Sequence, residues 1–139
     1  MAEPLGLDRH TDLVPGERPL VFGYLCMEQP DETQLAVWCK DIAEFCTTWR
    51  YHLVTTFIDR GVPDSSFARS GFIELLAALR RPEVFAVVVP TLDQLSTDTF
   101  TQNTLVEMVQ FTDSVVLVAK KTNGHQQVFT VDFDDENSP

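Results

Sequence analysis

The sequence has no run of 18 apolar residues, so no segment reads as a membrane-spanning helix. It also lacks the basic start and hydrophobic stretch of a secretory signal. The first 20 residues hold four acids and two arginines instead. Without an export signal the expected compartment is the reducing cytoplasm, and three cysteines fit that setting. There is no CxxC pair, and His10, His52 and His125 are far apart in the chain, so no zinc site is expected. Cys39 and Cys46 fall two turns apart on what reads as one helix, roughly 10 Å, too far for a disulfide. They read as thiols packed like small hydrophobes. Basic residues are scarce: 10 Lys and Arg against 21 Asp and Glu leave a net charge of −11. Phosphate backbones attract cationic surfaces, so direct DNA binding is not expected. No GxxxxGK[ST], GxGxxG or GxSxG motif is present, which removes support for nucleotide-loop and hydrolase chemistry.

What is present is one domain's worth of chain. The 139 residues are 44% hydrophobic, enough to build a core. Residues 1–19 are polar, broken by Pro4, Pro15 and Pro19, and read as a flexible arm. Residues 132–139 carry four acids and no base, and read as a disordered tail. The body between them, residues 20–131, is only mildly acidic, at −5.

Within the body the pattern alternates. Residues 19–27 form an apolar run of strand length. Pro30-Asp31-Glu32 opens a helix whose inner face is Leu35, Trp38, Cys39, Ile42, Phe45, Cys46 and Trp49. Residues 51–58 read as a second strand and residues 59–66 as a loop, from their turn residues. Phe72, Leu75, Leu76 and Leu79 mark a second helix, closed by Arg80 and Arg81 and stopped by Pro82. The run VFAVVV at 84–89 is continuous and β-branched, as in a strand covered on both faces. A third helix fits 98–111, and a fourth buried strand fits 114–119. Asn123-Gly124 signals a turn into a short final strand over 126–133, which could pair antiparallel with the fourth. The order β-α-β-α-β-α-β-β predicts an α/β three-layer sandwich with a mostly parallel central sheet.

In such sheets the ligand crevice lies beyond the carboxyl ends of the strands. The loops there offer Cys26, Glu28, Asp59, Ser65, Ser66, Arg69, Asp93, Gln94, Ser96 and Thr97. Glu28, Asp59 and Asp93 could converge on Mg²⁺, but lone acids on loops are expected to be solvated. Arg69 could bind an anion at a helix start; a structural ion pair with Asp59 or Asp93 is the stronger expectation. Cys26 has no base near it in sequence to activate its thiol.

The same residues carry a resemblance. Phe22 to Glu28 has the frame of a Tyr-x-Arg-x-Ser strand end. Phe57-Ile58-Asp59 with Gly61 and Ser65 fits an Asp-bearing loop. Ala68 to Phe72 fits an Arg-Pro-Gly-Leu helix start. Val87 to Thr97 fits a valine-rich strand followed by Lys-Leu-Asp-Arg-Leu-Ser-Arg. Over Val21 to Val118 the chain resembles the catalytic domain of the serine recombinases, the resolvase/invertase family. That resemblance implies the resolvase fold. It also implies a site where a serine attacks the scissile phosphate and arginines stabilise the charge. In this chain the serine position carries Glu28, the arginine two before it is Cys26, and the two later arginines are Gln94 and Thr97. Of the implied catalytic set only Asp59, Arg69 and Asp93 remain. The family's long helix and basic DNA-reading domain are expected to be missing, since Lys120 and Lys121 are followed by a turn, a short strand and the acidic tail.

Two functions follow as expectations. The first is a catalytically inactive recombinase-like domain that works as a protein-interaction or regulatory module, with a protein partner and with a homodimer allowed. The second is a sensor or repurposed enzyme holding a small ligand, metal or anion among Glu28, Asp59, Arg69 and Asp93. Neither calls for a resident cofactor.

Overall fold

A computed structural model describes residues 18–120 and 127–130. In chain order its elements are β1 (Leu20–Met27), α1 (Glu32–Trp49), β2 (His52–Arg60), α2 (Ser70–Leu79), β3 (Val84–Val89), α3 (Thr99–Gln110), β4 (Val115–Val118) and β5 (Gln127–Phe129), with a 3₁₀ turn at Leu92–Gln94. The strands form one sheet in the order β2-β1-β3-β4-β5. The first four are parallel, and β5 pairs antiparallel with β4. The predicted order and the antiparallel last strand both hold. Residues 1–17 of the expected arm over 1–19, the Asn123-Gly124 turn and the tail over 132–139 lie outside the described residues.

Alternation along the strands builds the three layers. Val21 and Leu25 face one side, where they pack with Leu35, Ile42, Phe45 and Cys46 of α1. Phe22 and Tyr24 face the other, against Phe72, Leu75 and Leu79 of α2 and Leu105, Val106 and Val109 of α3. Every residue of β3 and of β4 is buried, as the unbroken β-branched runs require of strands covered on both faces. Trp38 and Trp49 pack against the α1-side cluster as core residues do. Cys39 and Cys46 are free thiols on α1, and burial pushes the Cys46 thiol up to about 11.

Helix ends follow local chemistry. The Asp31 carboxylate accepts the N–H groups of Thr33 and Gln34 at the start of α1. Asp98 does the same for Thr101 at the start of α3. Arg50 ends α1 in the left-handed region, with its N–H donated to the carbonyls of Cys46 and Thr47.

Most boundaries shift by a residue from the sequence expectation, and one shift matters for the site. β2 runs on through Asp59 and Arg60, because its ladder with β1 continues to the pairs Cys26–Asp59 and Met27–Arg60. Asp59 is therefore a strand residue rather than a loop acid. That shift places its side chain. No helix among the described residues is long and apolar enough to cross a membrane.

Candidate functional site

β1, β2 and β3 end side by side, and the segments that follow them enclose a crevice. Its floor is set by Asp59, which is 3% exposed. The Asp59 carboxylate accepts the N–H groups of Gly71 at 2.7 Å and Phe72 at 3.0 Å. These are orphan donors in the first turn of α2. The residue at the cap position, Arg69, makes no side-chain cap. The cap comes instead from the end of the preceding strand, and the negative charge sits at the positive end of the helix. A Cβ on Gly71 would lie 2.9 Å from a carboxylate oxygen, so this approach requires glycine. The third donor is the Tyr24 hydroxyl, at 2.7 Å. The expectation of a solvated loop acid is thus overturned for Asp59, whereas Glu28 and Asp93 are exposed as expected.

Arg69 is 0% exposed. Its Nε donates to the Ser66 carbonyl at 2.9 Å and its Nη2 to the Asp64 carbonyl at 2.8 Å. Its Nη1 reaches the Tyr24 hydroxyl at 3.4 Å. The expected ion pair with Asp59 or Asp93 is not made. The Asp59 oxygens are taken by α2 and Tyr24, and Asp93 stands exposed on the 3₁₀ turn. Tyr24 links the charges: its hydroxyl donates to Asp59 and accepts from Arg69. Burial, followed by the bond to Asp59, raises the Tyr24 hydroxyl far above the usual phenol range, against a smaller opposing pull from Arg69.

A pH dependence follows. The folded form keeps the Tyr24 proton while the unfolded chain loses it near pH 10. The stability this proton contributes is full below that point and declines as pH rises above it. Absorbance at 295 nm during alkaline titration is expected to show Tyr24 ionising only together with unfolding, and Tyr24→Phe to remove that component. A Tyr24 signal appearing near pH 10 in folded protein would contradict the assignment.

Above this buried layer lies the segment between β2 and α2. The Asp64 carboxylate accepts the Ser96 hydroxyl at 2.9 Å, the Thr97 hydroxyl at 2.9 Å and the Thr97 N–H at 3.1 Å. Burial would raise the Asp64 carboxyl, but these bonds to Thr97 and Ser96 outweigh it and hold the group below the usual carboxylate range. The Glu28 carboxylate accepts the Asp64 N–H at 3.0 Å. Gln94 is buried, and its side-chain oxygen accepts the Cys26 N–H at 3.3 Å. The half-buried Cys26 thiol is raised by desolvation, against lowering by Arg69 and the Tyr24 hydroxyl. The cation that sequence proximity does not supply is therefore present in space, but burial prevails. Among the described residues, no group of three His, Cys, Asp or Glu side chains is arranged to hold a metal ion.

The crevice thus gathers Cys26, Glu28, Asp59, Arg69, Gln94, Ser96 and Thr97 into one bonded network. Asp93 has no bond in it, Ser65 is exposed, and the Ser66 hydroxyl accepts the Ala68 N–H. Sequence reasoning missed Tyr24 and Asp64 as site residues. The signal for Tyr24 was its place two residues before Cys26 on the same strand face. Asp64 carried none beyond membership of a turn-rich loop.

Comparison with known proteins gives one family. A family model described as the resolvase N-terminal domain matches residues 27–136. The fold is similar to that of the N-terminal catalytic domain of TP901-1 integrase, with a TM-score of 0.65 at 14% identity over 72% of this chain and 77% of that one. It is similar to the C-terminal catalytic domain of ISC1926 TnpA, an IS607-like serine recombinase, with a TM-score of 0.64 at 17% identity over 75% and 72% of the two chains. A resolvase family site-specific recombinase from Streptococcus pneumoniae aligns with a TM-score of 0.63 at 15% identity over 79% and 76%. No curated protein sequence matches the chain.

Proposed function

From the premise that the chain belongs to the resolvase N-terminal domain family of serine recombinases, we propose that it is a non-catalytic member that works by binding another protein. One observation carries this reading. Where the family's chemistry calls for cations around a phosphate, the crevice holds the Asp64 carboxylate, seated on Ser96 and Thr97. Glu28, which the resemblance aligns with the nucleophilic serine, is a second carboxylate bonded to the same segment. The guanidinium of Arg69 is sealed from solvent. An incoming phosphodiester would meet the Asp64 and Glu28 carboxylates, with Arg69 sealed beneath and Arg60, at the end of β2, already paired with Glu32, the opposite of what phosphoryl transfer requires. The net charge of −11 likewise disfavours direct DNA binding.

A contact surface for a protein partner is supported on the helical face. Phe100 of α3 is 72% exposed and Ile73 of α2 is 60% exposed, on the two helices that cover one side of the sheet. A second copy of the chain is one such partner. The cytoplasm, where free thiols persist, is the compartment we assign.

The test is recovery of the tagged full chain from its native cells in two ways. After denaturing recovery, intact mass is expected to show no nucleotide adduct; an adduct on Cys26 or on a serine would make the chain an enzyme. After native recovery at physiological salt, a stoichiometric protein partner is expected. Recovery of the chain as a monomer, or as a monomer with a small molecule, would overturn the interaction reading.

A further inference from the structure

Residues 61–68 span the crevice from β2 to α2. The segment leaves β2 at Gly61, whose φ of +73° and open surroundings suit a pivot. None of its side chains belongs to either core cluster, and Phe67 is exposed. What holds it is polar. The Asp64 carboxylate takes three donors from Ser96 and Thr97, Glu28 takes the Asp64 N–H, and Arg69 grips the Asp64 and Ser66 carbonyls from beneath. Asp64 is thus bonded to Glu28 beyond β1, to Ser96 and Thr97 beyond β3 and to Arg69 at the start of α2.

We propose that residues 61–68 form a latched strap, pinned by the Asp64 carboxylate, whose release uncovers the Cys26 thiol beside the Arg69 guanidinium. This holds whether or not the domain has a catalytic role, because it concerns access to the crevice and not what happens there. Two features support it. A segment fastened by hydrogen bonds and lacking apolar burial opens at lower cost than the core beneath it. The strap is also tied to the residues two places to either side of Cys26, to Glu28 through the Asp64 N–H and to Tyr24 through the Arg69 guanidinium, so it passes beside the thiol. Opening removes the burial that raises the thiol and withdraws the Asp64 charge, while Arg69 remains on α2.

The test is alkylation of the folded full chain by iodoacetamide, with rates at Cys26, Cys39 and Cys46 read separately by peptide fragmentation mass spectrometry. In Asp64→Ala the Cys26 rate is expected to rise at least ~10-fold, as follows from losing several hydrogen bonds to a charged acceptor. Thr97→Val deletes one hydroxyl donor and is expected to raise it about threefold. Cys46, buried on the inner face of α1, is expected to keep its rate in both variants. Unchanged Cys26 rates would overturn the latch. So would Cys26 and Cys46 rising together, since that reports opening of the whole domain. Should Asp64→Ala fail to fold, Thr97→Val carries the test alone.

Discussion

Asp59→Ala is expected to cost about 4 kcal/mol of stability, the middle of the range for removing one partner from a buried charge network. Three bonds vanish together. The N–H groups of Gly71 and Phe72 are left without an acceptor in the interior, and the Tyr24 hydroxyl loses its own. Loss of the cap alone accounts for about 1 kcal/mol. The rest comes from the orphaned donors and from Arg69, which keeps a buried positive charge with no carboxylate behind Tyr24. Against a total stability of roughly 5–15 kcal/mol, such a loss takes away a large share of the folded state. Asp59→Asn retains one side-chain oxygen and is expected to recover part of the loss, about 1–2 kcal/mol. Urea unfolding of both variants decides the matter. An Asp59→Ala protein within about 1 kcal/mol of the parent would mean that α2 does not depend on this cap.

The sequence made the scaffold legible because the scaffold rests on local pattern. The runs VFAVVV and SVVLVA can only be satisfied between two layers, and the three- and four-residue steps from Leu35 to Trp49 define one helix face. The site was legible only in part. Cys26, Glu28, Asp59, Arg69, Gln94 and Thr97 were placed at the strand ends by topology, which is where they lie. Their partners were not readable. Tyr24 and Asp59 are 35 residues apart, Tyr24 and Arg69 are 45 apart, and Cys26 and Gln94 are 68 apart. No spacing rule reaches across such separations. The boundary error that affects the site had a similar origin. Gly61 and Pro63 announced a turn, but the ladder to β1 carries β2 two residues past Ile58, where the expected strand ended. Those two residues turn Asp59 from a solvated acid into the buried cap of α2.

Arg69→Met is expected to cost about 3 kcal/mol, and Arg69→Lys nearly as much. Methionine fills much of the space but donates nothing to the Asp64 and Ser66 carbonyls or to Tyr24. Lysine keeps the charge, yet one ammonium on a flexible stem cannot span three acceptors that the planar guanidinium meets at once. The informative variant is the double one. If Arg69 and Asp59 neutralise each other through the Tyr24 hydroxyl, each single change leaves one buried charge uncompensated, and removing both charges removes that penalty. Asp59→Asn combined with Arg69→Met should therefore cost less than the two single changes added, by at least ~1 kcal/mol. Adding Tyr24→Phe to the cycle should reduce the coupling, because among the described residues the hydroxyl is the only group bonded to both side chains. Simple additivity in urea unfolding would show that the guanidinium is held by the strap carbonyls alone. The buried layer and the strap above it would then be separate devices, and Arg69 would belong to the second.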